Sequence, residues 1–190
     1  MLSKCRLKLI AIIFFLVGAI LIIKPSYYYI KGYCVEYILN KIWYNYKQND
    51  AKLLEFLNLE PIGKLIIEDI NLDCMILKNI NDRTLNYGLG KLSDGIKLYQ
   101  SNKNIIIAGH RDSYFNKLKK INLGDEIILE HIEGKSKYIV ESIKIVNPTN
   151  IECLSDYNLN KITLITCYPF QYIGSAPLRY VVQGKFIVDT

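Results

Sequence analysis

A chain of 190 residues with 51% hydrophobic and 22% charged residues is too apolar to be intrinsically disordered, and hardly long enough for two independent globular domains. Its net charge of +6 suits an anionic partner, either nucleic acid or the acidic surface of a membrane or cell wall. The lysines are spread along the chain, and no zinc-finger spacing, RNP motif or basic helix is present, which argues against nucleic-acid binding.

The first predicted element is an uncharged run from Leu9 to Ile23, preceded by Lys4, Arg6 and Lys8. As a helix it would be about 22 Å long, shorter than the roughly 30 Å core of a bilayer, although flanking lysines can extend it. No A-x-A-like cleavage site follows, so an uncleaved anchor over residues 1–24 is favoured over a cleaved signal peptide. The cations before the run predict a single-pass protein with its N-terminus inside and the rest outside.

The next segment, residues 25–58, is predicted to be helical. From Gly32 to Leu59 apolar residues recur at mixed three- and four-residue steps without proline, which indicates one or two amphipathic helices. Such helices would form a juxtamembrane stalk or pack on the following domain.

Residues 59–190 change to short β-branched runs separated by turn residues, which is typical of an all-β barrel or sandwich. The predicted strands are Leu65–Ile70, Cys74–Leu77, Ile105–Ala108, Glu126–Leu129, Tyr138–Val146, Ile162–Cys167 and Tyr180–Val188. Turns are predicted at Asn81-Asp82, Ser93-Asp94-Gly95, Leu123-Gly124-Asp125, Glu133-Gly134 and Asn147-Pro148. This region is predicted to be one domain.

The five cysteines are an odd number, with no CxxC pair and no histidine spacing suited to zinc, so neither a disulfide framework nor a metal site is expected. A free cysteine is more often a small buried hydrophobe than a reactive thiol, and Cys34, Cys74 and Cys153 are interpreted in that way. Cys167 is different because it ends an apolar strand and runs into Tyr168-Pro169, where a thiol can be partly exposed and reactive. From residue type alone, a buried structural role for Cys167 stays open.

Two further residues can complete a thiol-based site, which needs a proton donor or acceptor and a positive group. His110 ends the strand Ile105–Ala108, and Gly109 permits close backbone approach there, whereas His131 is expected in an exposed hairpin. Arg179 begins the last strand, and antiparallel pairing of that strand with the one ending at Cys167 would bring the two together. The alternative is an ordinary solvated arginine.

These segments resemble the sortases. Residues 163–167 match the Thr-Leu-x-Thr-Cys motif, residues 108–111 match the histidine segment, and Arg179 stands at the position of the family's arginine. The longer runs around His110 and Cys167 are similar to class D sortases. The resemblance implies a sortase β-barrel preceded by a transmembrane helix, with Cys167, His110 and Arg179 catalytic.

The resemblance also implies the reaction. A sortase cleaves an LPxTG-like sorting signal between Thr and Gly through a cysteine thioester, and transfers the surface protein to an amine of peptidoglycan or its precursor lipid II. Thr166, Tyr168 and Ala108 are then predicted to contact substrate, and the loops Asn147–Lys161 and Tyr168–Leu178 to recognise it. No cofactor is expected, because no Ca²⁺-loop spacing of acidic residues is present.

Two alternatives remain from the sequence. The first is a sortase that polymerises pilins on a lysine acceptor, although no clear lid motif lies between Leu57 and Leu65. The second is a membrane-tethered β-module that binds wall components and in which Cys167 is inert.

Overall fold

The computed structural model describes residues 2–45, 59–92, 97–99, 103–150 and 160–187. The chain divides into two compact units, Met1–Ile38 and Leu39–Thr190. Helix α1 extends from Leu2 to Asn45 without interruption. Within the described residues, no helix has both the length and the apolar character needed to cross a membrane.

The second unit contains a closed β-barrel of eight strands. The strands are β1 (Pro61–Ile67), β2 (Leu72–Leu77), β3 (Leu89–Lys91), β4 (Asn104–Ala108), β5 (Glu126–His131), β6 (Gly134–Val146), β7 (Lys161–Tyr168) and β8 (Leu178–Ile187). They follow one another around the barrel in the order β1-β2-β3-β4-β7-β8-β6-β5. Pairing is antiparallel except between β2 and β3 and between β4 and β7. The predicted all-β barrel is therefore confirmed.

The core lies inside the barrel and follows from the alternation of side chains along the strands. In β1 every second residue is buried, and Leu65 and Ile67 are fully enclosed. Ile105 and Ile107 of β4, Ile162 and Leu164 of β7 and Val182 of β8 belong to the same cluster. Tyr138 lies among them, and burial raises its pKa to about 12.

Short elements differ from the sequence prediction. Glu68–Ile70, predicted to continue the first strand, form a 3-10 helix that ends at Asn71, whose φ of 52° turns the chain into β2. The strand prediction is wrong there because two adjacent acidic residues interrupt the apolar alternation. Strand β3, helix α2 (Asp82–Leu85) and a second 3-10 helix (Tyr114–Lys120) were not predicted.

The predicted turns have mixed outcomes. Gly124 and Gly134 adopt positive φ values of 91° and 139°, and the Asn150 amide donates to the Asn147 carbonyl, as expected of turns. Asn81 instead directly precedes α2, and its Oδ1 accepts from the Thr84 amide at 2.8 Å. The turn at residues 93–95 and the predicted helical residues 46–58 lie outside the described residues.

Candidate active site

Strands β4, β7 and β8 are neighbours in the barrel and bring the three predicted catalytic residues together. Cys167 is the register partner of Arg179 in the antiparallel β7–β8 pair. Strands β4 and β7 pair in parallel, and partner residues from Asn104↔Lys161 to Ala108↔Ile165 differ by 57 in number. His110 and Cys167 differ by the same 57 residues, just beyond the paired region. All three residues therefore lie at one level, at one end of the barrel.

Cys167 and Arg179 belong to the same face of the sheet. Ile107, Leu164 and Val182 point into the core. Cys167 lies three positions from Leu164, and Arg179 lies three positions from Val182, and an odd separation along a strand reverses the face. Both side chains therefore face the outside of the barrel, and directly opposite residues on antiparallel strands have Cβ atoms about 5 Å apart. His110 lies two residues beyond the end of β4.

The outer face of these strands becomes more open towards the site. At its far end Asn104 and Thr163 are fully buried and share a side-chain hydrogen bond of 2.9 Å. Ala108 and Ile165 are half-buried, as are the three predicted catalytic residues. A peptide could therefore reach the sulfur from this open end.

The strand end that carries His110 is fixed by Thr166 and Gly109. The Thr166 hydroxyl donates to the Gly109 carbonyl at 2.7 Å, and the Gly109 amide donates to the Ile165 carbonyl at 3.2 Å. A Cβ on Gly109 would lie only 2.7 Å from Leu89 Cδ2 and 2.9 Å from the Phe115 ring. The prediction that Gly109 allows close approach is confirmed. Thr166 lies two residues after the inward-facing Leu164, so its side chain is on the inner face. Its hydrogen bond to the Gly109 carbonyl orients the segment that carries His110.

Arg179 is half-buried beside the thiol. Its Nη1 donates to the carbonyl oxygens of Ala176 and Leu178, at 3.2 and 2.9 Å. Guanidinium carries five N–H donors, and among the described residues only Nη1 of Arg179 donates, so Nε and Nη2 are available there to a ligand. A positive group beside a nucleophilic sulfur can stabilise an oxyanion that forms when the sulfur attacks a carbonyl.

A thiol, an imidazole and a guanidinium are thus carried by three neighbouring strands and the segment that follows one of them. The family model for the sortase domain matches residues 65–187, which is more than half of the chain. The chain belongs to the sortase family. The prediction from the sequence motifs is thereby confirmed, and other members of the family are cysteine transpeptidases.

Individual sortases show how far the similarity extends. The chain is 32% identical over 124 residues to Sortase D of Bacillus subtilis, a match that spans 65% of this chain and 62% of that one. It is 24% identical to Sortase A of Bacillus anthracis over 95% of this chain and 94% of that one. The match to Sortase D of Bacillus subtilis agrees with the class D resemblance predicted from the sequence.

Solved sortase structures have the same fold. The pilus-related Sortase C of Group B Streptococcus superimposes with a TM-score of 0.63 at 27% identity, covering 68% of each chain. A Clostridium perfringens Sortase D5 transpeptidase has a TM-score of 0.65, covering 82% of this chain and 99% of that one. Identity to that structure is 22%, so it supports the fold alone.

Aromatic side chains border the site of this sortase on the β7–β8 side. The rings of Tyr168, Phe170 and Tyr180 contact one another, with centroids 5.1 to 6.1 Å apart. Burial, and then the nearby Tyr168 hydroxyl, raise the pKa of Tyr180. Phe170 and Tyr180 pack against the core, so this cluster supports the segment that follows Cys167.

His131 lies in the predicted β5–β6 hairpin but is mostly buried, with 9% of its surface exposed, so the expectation of an exposed residue was wrong. Its Nε2 shares a hydrogen bond of 3.0 Å with the Ser136 hydroxyl, and its Nδ1 accepts from the Glu133 amide. Strand β5 ends beside the start of β1, whereas the site lies where β4 and β7 end. His131 therefore lies away from the end of the barrel that carries the predicted catalytic residues.

The other cysteines differ from one another. Cys74 is buried, as predicted, whereas Cys34 is exposed on α1, so its interpretation as a buried hydrophobe was wrong. The side chains of Cys5 and Cys153 lie outside the described residues. Within the described part of the chain, no group of three or more His, Cys, Asp or Glu residues could hold a metal ion.

Sequence reasoning missed one residue of this site. Arg111 follows His110 and donates from Nη2 to the carbonyl oxygens of Tyr172 and Gly174 in the β7–β8 loop. The sequence contained a signal, since Arg111 belongs to a polar triplet at the strand end, but its partners lie more than 60 residues away.

Proposed function

We propose that this sortase is a cysteine transpeptidase that cleaves an LPxTG-like sorting signal between Thr and Gly and transfers the acyl part to an amine. The proposal is supported by the pairing of Cys167 with Arg179 on β7 and β8, and by the bond from the Gly109 amide to the Ile165 carbonyl, which holds the segment that leads to His110 beside β7. The acceptor is an amine of peptidoglycan or of lipid II, and the donors are surface proteins that carry the signal.

In the first half-reaction the Cys167 thiolate attacks the Thr carbonyl carbon, and the carbonyl oxygen becomes an oxyanion near the Arg179 guanidinium. The Thr–Gly C–N bond then breaks, and protonated His110 gives its proton to the departing Gly amine. The products are a Cys167 thioester of the fragment that ends at Thr, and a released carboxy-terminal peptide that begins with Gly and has a free amine.

In the second half-reaction the acceptor amine attacks the thioester carbonyl and gives its proton to neutral His110. The C–S bond breaks, a new amide bond forms, and the Cys167 thiolate and protonated His110 are regenerated. Atoms and charges balance without an oxidant, reductant or metal, so no cofactor is required by this scheme.

The substrate contacts follow from the same face of the sheet. Ala108 lies on the outer face of β4, two residues before His110, and would contact the peptide directly. Thr166 would act through its hydrogen bond to Gly109, and Tyr168 through the aromatic cluster beside the thiol.

A membrane location is also proposed. Along Leu9–Ile23 the described helix exposes large apolar side chains, among them Phe14 and Phe15 at 74% and 76% exposure, which water solvates poorly. Burial of this segment in lipid would hold the enzyme near membrane-bound substrates and raise their effective concentration. Recovery of the full chain in the soluble fraction after cell lysis would contradict this location.

A second candidate is polymerisation of pilins, in which the acceptor amine is a lysine side chain. It is favoured by the similarity to the pilus-related Sortase C at a TM-score of 0.63. The two candidates share the thioester step and differ in the amine that resolves it. A comparison of amines therefore separates them.

The test is transfer of a fluorescent sorting peptide by the full chain in detergent, with a panel of amines and with a chelator present or absent. We expect transfer to a peptidoglycan-type amine in both conditions, no transfer by Cys167→Ala, and losses of at least about a hundredfold in His110→Ala and Arg179→Ala. Transfer by Cys167→Ala would refute the mechanism, and preference for a lysine acceptor would favour pilin polymerisation. A wall-binding module with an inert thiol would bind wall fragments without any transfer.

A further inference from the structure

The β7–β8 loop, residues 169–177, is held from the His110 side by Arg111. Arg111 Nη2 donates to the Tyr172 carbonyl at 2.6 Å and to the Gly174 carbonyl at 2.9 Å. The guanidinium carbon also lies 5.7 Å from the centroid of the Tyr172 ring, within the range of a cation–π contact. Three contacts from one side chain therefore join two segments that flank the catalytic cysteine.

The backbone of Arg111 is itself anchored. Its carbonyl accepts from Asn116 Nδ2 at 3.0 Å, and Asn116 belongs to the 3-10 helix Tyr114–Lys120, whose Phe115 and Leu118 are buried in the core. Arg111 thus connects the mostly exposed tip of the loop to a rigid part of the barrel. Ile173 at this tip is fully exposed, so the loop gains little from packing there.

The hydrogen bonds of Arg111 are not arranged for maximum stability. Its Nη1 is buried and has no hydrogen-bond partner among the described residues. A buried donor without an acceptor costs free energy, and a charged group raises that cost. A buried donor of this kind calls for an explanation other than stability, and Arg111 directly follows His110 in the chain, so a role at this site is consistent with it.

Arg179 holds the other end of the same loop. Its Nη1 donates to Ala176 and Leu178, two and four residues beyond the Gly174 carbonyl that Arg111 binds. The position of the Arg179 guanidinium therefore depends on the path of a loop that Arg111 fixes. A loop released by loss of Arg111 would shift the acceptors that orient Arg179.

We propose that Arg111 is a positioning residue for transpeptidation, which holds the β7–β8 loop against the His110 segment and thereby orients Arg179 towards the reacting carbonyl. This inference rests on the proposed function of the same site. It predicts that Arg111 acts through Arg179 and does not touch the substrate carbonyl itself.

A matched control is available in Lys117. This side chain also donates to a backbone carbonyl far along the chain, that of Asn71 at 2.5 Å, but it joins the second 3-10 helix to the turn before β2. Replacement of either residue by glutamine removes a charge and a contact between distant segments. Of these two residues, Arg111 is the one that contacts the β7–β8 loop.

The experiment compares Arg111→Gln, Arg111→Lys and Lys117→Gln in the full chain in detergent. Steady-state transfer of a sorting peptide gives kcat and KM, and mass spectrometry follows chymotrypsin cleavage after Tyr172. We expect Arg111→Gln to lose about tenfold or more in kcat/KM, mainly in kcat, and to be cleaved after Tyr172 several times faster than wild type. Arg111→Lys should recover part of both, and Lys117→Gln should match wild type.

A double-mutant cycle tests whether the effect passes through Arg179. In an Arg179→Lys background, Arg111→Gln should lower kcat by less than about threefold, because the group that it orients has already been replaced. Full additivity of the two losses would overturn the inference. Wild-type activity in Arg111→Gln would also overturn it while leaving the proposed function intact.

Failure of the proposed function has a different signature, namely no transfer by the wild-type chain. The proteolysis measurement then still decides whether Arg111 holds the loop. Equal cleavage rates after Tyr172 in wild type and Arg111→Gln would refute the role of Arg111 in holding the β7–β8 loop.

Discussion

Cys167 and Arg179 are directly opposite each other on paired strands, and this relation follows from a short connection between two strands of matched register. The sequence left a buried role for Cys167 open, whereas in the structure the thiol lies on the outer face, three positions from the inward-facing Leu164. The prediction that antiparallel pairing brings Arg179 beside Cys167 is confirmed. The roles of these side chains in the chemistry stay predictions.

His131 provides a prediction about pH at the scale of one residue. Burial lowers its pKa in the folded protein, whereas the unfolded chain titrates near 6.5. Below about pH 6.5 the unfolded state therefore binds more protons, and stability is lost as the pH falls through that value. Urea unfolding from pH 7 to pH 5 should show a smaller loss of stability in His131→Gln than in wild type.

The same variant serves as a control for catalysis. Because His131 lies away from the catalytic group, we expect transfer by His131→Gln, and by His131→Ala, at close to the wild-type rate. Parallel stability curves for wild type and His131→Gln would contradict the pH argument. A strong loss of kcat would contradict the assignment of His131 as structural.

At the scale of elements, the junction between β4 and the His110 segment depends on Gly109. A methyl group there would meet Leu89 and Phe115, both fully buried, and neither could move without disturbing the core. We expect Gly109→Ala to lower the free energy of unfolding by about 1–3 kcal/mol, as overpacking does, and to lower kcat by displacing His110. Thermal unfolding and peptide transfer measure the two effects, and wild-type values in both would refute this account of the junction.

The elements that the sequence predicted are those with long apolar or β-branched runs. Strands β4 and β7 were recognised to within one residue at each end because Ile105–Ile107 and Ile162–Ile165 have no helical periodicity. Strand β3 was missed because three residues, one of them Gly90, give too short a pattern. The 3-10 helix after His110 was missed because its stability comes from burial of Phe115 and Leu118 in a core that only the fold creates.

At the scale of the whole molecule, the site depends on a strand order that differs from the chain order. Parallel pairing of β4 with β7 crosses 57 residues of sequence and passes over β5 and β6. Local patterns cannot reveal that pairing, so the proximity of His110 to Cys167 was available only from the family resemblance. The Arg111 contacts were unavailable for the same reason, since they join loops from two strands of this nonsequential set.

Closure of the barrel explains why a small domain can hold three side chains in register. All eight strands have two neighbours, so the barrel has no open edge, and strands β4, β7 and β8, which carry the candidate site, are fixed on both sides. Side chains placed by strands are positioned more accurately than side chains on loops. The β7–β8 loop is the exception, and the two arginines that bind its carbonyl oxygens compensate for its exposure.

The most direct measurement is capture of the thioester. The full chain is incubated with a sorting peptide without an acceptor amine, quenched in acid, and analysed by intact mass and by proteolytic mapping. The account predicts an adduct equal to the peptide fragment up to Thr, located on Cys167, released by hydroxylamine and absent in Cys167→Ala. An adduct on another residue, or peptide cleavage that proceeds equally well in Cys167→Ala, would contradict it.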